Sequence, residues 1–64
     1  MLNYNFIICL IDPINKKYER IFETIPDAND VEFFVWKEVV ERAANKCPEG
    51  YYINSIRLLG TESL

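Results

Sequence analysis

The chain has 64 residues, so we expect one domain that covers residues 1–64. Half of its residues are apolar and 14% are aromatic, which excludes a disordered tail and supplies one compact core. Ten acidic residues against seven basic ones give a net charge of −3. That balance disfavours nucleic-acid binding, because proteins of that class present a clustered basic surface.

Two strands joined by a turn are predicted first along the chain. Residues 4–11 are rich in aromatic and β-branched types, and their apolar side chains alternate between both faces, which predicts a central strand. Residues 12–16 contain Pro13 and Asn15 and predict a turn. Residues 18–24 mix apolar and charged positions and predict an edge strand. The two strands would form a hairpin.

A helix is predicted next, over residues 30–46. Asn29 followed by Glu32 fits a capping box, with Asp27 as the competing N-cap. Pro48 ends the helix, because the residue before a proline disfavours the α conformation.

A third strand is predicted over residues 51–59, after a turn that contains Gly50, and residues 60–64 are predicted to be a frayed tail. A right-handed crossover through the helix places strand three parallel to strand two, with strand one between them. The predicted fold class is therefore α+β, with ββαβ order. It has a three-stranded antiparallel sheet of order 2-1-3 and one helix packed on one face.

Helical periodicity separates the two sides of the predicted helix. At about 100° per residue, six residues share the direction expected to face the sheet: Phe33, Trp36, Val40, Ala43, Ala44 and Cys47. Val31, Phe34 and Val35 point elsewhere and predict a small exposed apolar patch near Glu38. The alternatives are that the helix is rolled further, or that these residues pack against a terminus.

The face of the sheet that the helix does not cover must contact either solvent or a partner. One helix covers one face only, yet strand one is apolar on both. Either the set Ile7, Cys9 and Ile11 or the alternating set Tyr4, Phe6, Ile8 and Leu10 is left over. A face that associates with itself would make a homodimer, whereas a different partner would make the protein an adaptor or inhibitor. Aromatic residues are frequent anchors of such interfaces.

Catalytic and cofactor chemistry is not indicated. The sequence has no histidine, the usual general base, and its two glycines form no phosphate-binding loop. Cys9 and Cys47 lack metal-site spacing and lie among apolar residues, so we expect free, buried thiols. We therefore expect no enzyme activity, metal or cofactor. The longest N-terminal apolar run has six residues, too few for a signal peptide or membrane span, and we expect a cytoplasmic protein.

The most distinctive string is PEGYYINSIR at residues 48–57. It resembles the corresponding segment of the small phage-encoded inhibitor of bacterial RNA polymerase found in podoviruses of enteric bacteria. That family has a similar length and the same strand–strand–helix–strand order. Six residues match its pattern: Pro48, Gly50, Tyr51, Ile53, Ile56 and Arg57. The family uses two arginines in this strand to hold the polymerase jaw. Arg57 matches one of them, and Ser55 occupies the position of the other.

These features predict a small non-enzymatic protein-binding module, encoded by a phage or mobile element, that inhibits a host complex such as RNA polymerase or a CRISPR defence system. Six residues are predicted to contact the partner: Arg57, Tyr51, Phe34, Val35, Val31 and Glu38. The alternative is a structural homodimer, or a subunit of a larger assembly, held through the open sheet face. A nucleic-acid binder that uses Lys16, Lys17, Arg20 and Arg57 is the least favoured class.

Overall fold

The computed structural model describes residues 2–27 and 32–63, with the side chains of all of these except residues 32 and 33. Three strands and one helix follow in the order β1, β2, α1, β3, at Leu2–Asp12, Lys17–Asp27, Glu32–Lys46 and Tyr52–Ser63. Both β2 and β3 pair antiparallel with β1, so the sheet has the order β2-β1-β3. The predicted fold class and strand order are confirmed.

Side-chain hydrogen bonds close the turn between β1 and β2. The Asp12 carboxylate accepts from the backbone N–H groups of Ile14 (3.1 Å) and Asn15 (3.2 Å), and from Nδ2 of Asn15 (2.8 Å). The bonds from Asn15, chiefly that of its side chain, lower the pKa of Asp12 because they favour its charged form. Lys16 completes the turn with a φ of 55°, in the left-handed region. The predicted hairpin is confirmed.

The last strand is longer than the sequence predicted. The expectation of a frayed tail after residue 59 is wrong, because β3 continues to Ser63 and pairs with β1 as far as Leu2. The register shifts at two points, between Asn5 and Phe6 and between Cys9 and Leu10 of β1, where β3 carries one extra residue each time, Leu59 and Asn54. Backbone pairing with the start of β1 therefore makes residues 60–63 part of the strand, although their side chains do not predict one.

The second strand is also longer, since it runs through Pro26 to Asp27. A proline is tolerated here because β2 lies at the edge of the sheet, where a missing N–H need not break a ladder hydrogen bond. The predicted capping residue Asn29 and the predicted helix start at residue 30 lie outside the described residues. The predicted end of the helix before Pro48 is confirmed.

The core lies between α1 and one face of the sheet. Among the side chains that the structure describes, seven apolar ones are buried in it: Phe6, Ile8, Leu10, Ile25, Val35, Val39 and Ala43. The ring of Phe6 meets the ring of Trp36 edge to face, with centroids 4.9 Å apart and planes at 75°. The even-numbered residues of β1 thus face the helix, and Ile7, Cys9 and Ile11 face away from it.

The helix is rolled relative to the sequence prediction. Val35 is only 3% exposed and packs in the core with Val39 and Ala43, whereas Val40 is 48% exposed and Ala44 is also exposed. The predictions that Val35 lies on an outer patch and that Val40 and Ala44 face the sheet are therefore wrong. Spacing of four residues makes Val35, Val39 and Ala43 one ridge, and this ridge packs against β1 and β2.

Candidate binding surface

The face of the sheet turned away from α1 is not covered by any other part of the described chain. Its central residues, Ile7, Cys9 and Ile11, are half-buried by their neighbours on β2 and β3 rather than by a second layer. The strand register places these neighbours directly beside them, because antiparallel partners point to the same face.

Three rows of side chains cross β2, β1 and β3 on this face. They are Tyr18, Ile11 and Tyr52; then Arg20, Cys9 and Ser55; then Phe22, Ile7 and Arg57. We call these nine residues the open-face patch.

Aromatic rings are the most exposed apolar groups of the open-face patch. Tyr18, Phe22 and Tyr52 are 70%, 68% and 64% exposed. Single exposed apolar residues are common on protein surfaces, but here three large rings share one face with the aliphatic side chains of Ile7 and Ile11. A contiguous apolar area of this kind is typical of an interaction surface.

The two arginines of the open-face patch differ in their ion pairing from the cations on the helix side. Neither Arg20 nor Arg57 forms an ion pair with a described residue. On the helix side, by contrast, the Arg42 Nη1 atom lies 3.2 Å from Oε2 of Glu23, and Lys46 Nζ bonds Oε1 of the same carboxylate. The guanidinium groups of the patch therefore retain their full capacity to bind an anion.

A polar row bounds the open-face patch at one end. Asn5 accepts a hydrogen bond from Oγ1 of Thr24 at 2.7 Å, and its Nδ2 donates to Oε1 of Glu62 at 2.7 Å. These side chains occupy β2, β1 and β3 in turn, so the row continues across the whole sheet. Glu62, the acidic residue on this face, is thereby held beyond the patch.

On the face of the sheet that packs against α1, Glu23 of β2 links the sheet to the helix. Its side chain is 8% exposed and accepts from Lys46 and Arg42. The hydrogen bond from Lys46 is the largest cause of its lowered pKa; the bond from Arg42 adds to it, and burial opposes both. The folded chain thus keeps this carboxylate ionised at pH values where the unfolded chain begins to protonate.

We expect Glu23→Gln to lower the free energy of unfolding by about 1–2 kcal/mol at pH 7, because both cations are partly exposed and screened by solvent. The carboxylate's stabilisation is complete above its ordinary pKa of 4.5 and is lost as the pH falls through the lowered value. Urea unfolding at neutral and acid pH should therefore show the difference shrinking in acid. Glu38→Gln is the control, since the Glu38 side chain is 47% exposed and its ion pair among the described residues is with Arg42, at 3.1 Å. An equal loss in both variants would contradict the role of burial.

The predicted contact residues are not brought together. Arg57 lies in the open-face patch, whereas Phe34 is exposed on α1 and Glu38 pairs with Arg42 on the same helix. Val35 is a core residue, and Val31 lies outside the described residues.

Tyr51 lies on the helix side of the sheet, half-buried against the core. Its N–H donates to the Pro48 carbonyl at 3.1 Å, and its own carbonyl accepts from Sγ of Cys47 at 3.2 Å. Burial raises the pKa of its phenol, and Glu19 and Asp12 add to that effect. Tyr51 thus closes the turn into β3. Cys47 and Cys9 are free thiols on opposite sides of the sheet, as predicted, although both are only partly buried.

The sequence prediction missed the three exposed rings and did not connect Arg20 to a protein partner. A usable signal was present, because Tyr18, Arg20 and Phe22 occupy alternate positions of one predicted strand. Pairing them with Ile11, Cys9 and Ile7 requires the hairpin register, which the strand pattern leaves open.

A groove of about 290 Å³ lies at the other end of the molecule, lined by Ile25, Pro26, Asp27, Phe34, Val35, Glu38 and Arg42. Its lining residue Asp27 is next in the sequence to residues 28–31, which lie outside the described chain, and no site is assigned to the groove. Among the described residues, no group of three or more acidic or cysteine side chains could hold a metal ion, and no helix has the length and apolar character to cross a membrane.

Comparison with protein-family models, with curated proteins and with solved structures finds no match for this chain. The resemblance of residues 48–57 to the phage inhibitor of RNA polymerase therefore stays a prediction. The open-face patch is the surface on which a functional proposal can be based.

Proposed function

We propose that this chain is a small, non-enzymatic protein-binding module that holds its partner on the open-face patch. The observation that carries the proposal is the exposure of Tyr18, Phe22 and Tyr52 on one uncovered sheet face. Aromatic side chains supply large contact areas with few rotatable bonds, which is why they dominate the energetic centres of protein interfaces.

The size of the face also fits a compact contact. Strands of 11 residues span ~36 Å, and three strands ~4.8 Å apart give a sheet roughly 14 Å wide with its flanking side chains. At about 500 Å², the whole face lies below the ~800 Å² that each partner contributes to a standard interface, so it matches a small protein interface better than a deep substrate pocket. Binding that covers a surface of a larger protein would block that surface to other ligands. We therefore propose inhibition of a host complex, by a phage or mobile-element protein, as the biological outcome.

The proposal places the protein in the cytoplasm. Cys9 and Cys47 are free and lie on opposite sides of the sheet, and unpaired thiols are typical of reducing compartments. A partner in the same compartment is consistent with a bacterial cytosolic complex.

Affinity capture with paired variants tests the proposal. We expect the purified chain to retain a specific protein from a bacterial lysate, and Phe22→Ala with Tyr52→Ala to lower its recovery at least about tenfold, the loss expected for two aromatic anchors. The matched control is Phe34→Ala with Val40→Ala, which removes exposed apolar side chains from α1 instead. Quantitative mass spectrometry measures the recovery.

Two results would contradict the proposal. One is that the wild-type chain retains no protein above background. The other is that the α1 control reduces recovery as much as the open-face variant does. A stable dimer that the open-face variant dissociates, seen by light scattering, would support the homodimer instead.

A further inference from the structure

We infer that the open-face patch recognises an acidic, partly apolar protein surface, with Arg20 and Arg57 each meeting a carboxylate. This inference rests on the proposed function and names the chemistry of the partner. Its starting point is the absence of an ion-pair partner for either arginine among the described residues.

The two arginines flank the apolar centre of the patch. Arg20 lies beside Cys9 from β2, and Arg57 lies beside Ile7 from β3. Their backbones are thus two residues apart along β1 and two strand spacings apart across it, about 7 Å by about 10 Å. A partner that covers Ile7 and Cys9 therefore also approaches Arg20 on one side and Arg57 on the other.

Covering an arginine without an acceptor is unfavourable, because a desolvated charge needs an opposite charge and hydrogen bonds. The open-face patch contains no acidic residue, and Glu62 is hydrogen-bonded to Asn5 beyond its edge. The partner must supply the acceptors. Carboxylates fit best, because the guanidinium fork binds them through two parallel hydrogen bonds.

The same charges disfavour a second copy of this chain as the occupant. Two patches brought face to face would bury four arginines and no acidic residue from either patch. A nucleic acid is also disfavoured, because nucleic-acid-binding proteins present many clustered cations and the open-face patch carries two.

Defined polymers test the inference without a known partner. We expect a fluorescently labelled random copolymer of glutamate and tyrosine to bind the purified chain at least tenfold more tightly than a lysine–tyrosine copolymer of equal length. The double variant Arg20→Glu with Arg57→Glu should weaken this binding at least tenfold. Arg20→Gln with Arg57→Gln, which removes the two positive charges without reversing them, should weaken it by a smaller factor. Fluorescence anisotropy at about 0.15 M salt measures all of these affinities, so that distant charges are screened.

The matched control is Lys17→Glu with Lys37→Glu. It changes the net charge by the same amount, but both lysines are exposed outside the open-face patch. We expect its affinity for the glutamate–tyrosine copolymer to stay within about twofold of wild type. Thermal unfolding of every variant confirms that each is folded.

Several results would overturn the inference. They are equal loss in the arginine and lysine variants, no preference for the acidic copolymer, or tighter binding of a labelled oligothymidylate than of either copolymer. A dimer that Phe22→Ala with Tyr52→Ala dissociates would also overturn it. If lysate capture depends on Phe22 and Tyr52 while the copolymers show no preference, the proposed function stands and the acidic partner is wrong. If nothing is captured, the proposed function itself fails.

Discussion

Replacement of Phe6 by alanine is expected to lower the free energy of unfolding by about 3–5 kcal/mol. Phe6 is 1% exposed, and its ring packs edge to face on Trp36 at the centre of the interface between β1 and α1. The substitution removes the buried ring, leaves a cavity and breaks the aromatic pair. Few other groups can relax into that space, because a single helix covers this face.

A loss of this size is large for so small a domain. At roughly 0.05–0.15 kcal/mol per residue, the whole chain is stable by about 3–10 kcal/mol. We therefore expect Phe6→Ala to be partly or wholly unfolded at room temperature, measured by circular dichroism during urea titration. Phe6→Leu, which keeps most of the buried volume, should remain folded and lose about 1–1.5 kcal/mol.

Phe22→Ala is the matched control for Phe6→Ala. Both are phenylalanines in the hairpin, but Phe22 lies on the open face beside Ile7. We expect a loss below about 1 kcal/mol, mainly from a weaker cross-strand contact. Equal losses at the two positions would mean that the helix does not pack on the even-numbered face of β1.

The second large effect is expected at Val35. Val35→Asp places a carboxylate in the apolar ridge formed with Val39 and Ala43, where the cation of the adjoining groove, Arg42, is already paired with Glu23 and Glu38. Burying an unpaired charge is among the most destabilising single changes, so we expect a loss of at least about 4 kcal/mol. The variant should lack a cooperative thermal transition.

Two further variants keep the Val35 prediction measurable. Val35→Ala should stay folded and lose about 2 kcal/mol, in line with two buried methyl groups. Val40→Asp, five positions further along the same helix, should lose less than about 1 kcal/mol because Val40 is exposed. If Val40→Asp unfolds the domain and Val35→Asp does not, the helix packs with the roll that the sequence predicted.

The candidate site depends on structure that the sequence only partly predicts. Arg57 was expected to contact a partner, and it does lie on the uncovered face. The helix residues Phe34 and Glu38 were grouped with it because they lie outside the predicted packing face. The structure places them on the helix side of the sheet, away from Arg57.

By itself, the sequence determined the elements and their order. Residues 4–11 place apolar side chains on both faces of the strand, which predicts a central strand. Pro48 predicts that the helix ends before it. With a right-handed crossover, these local rules leave β2-β1-β3 as the simplest sheet. The lack of histidine is equally a property of the sequence.

Only the tertiary structure decided which faces meet. β1 is apolar on both sides, and α1 carries valines around its circumference. Periodicity alone therefore allows several rotations of the helix about its own axis relative to the sheet. Packing selects the roll that buries Val35 and Val39 against Phe6, and backbone pairing extends β3 to Ser63. Because α1 covers the even-numbered face of β1, the rings of Tyr18, Phe22 and Tyr52 stay exposed on the other face, beside two arginines that have no ion-pair partner among the described residues. The binding surface thus follows from the register and the choice of buried face, which are long-range properties of the fold.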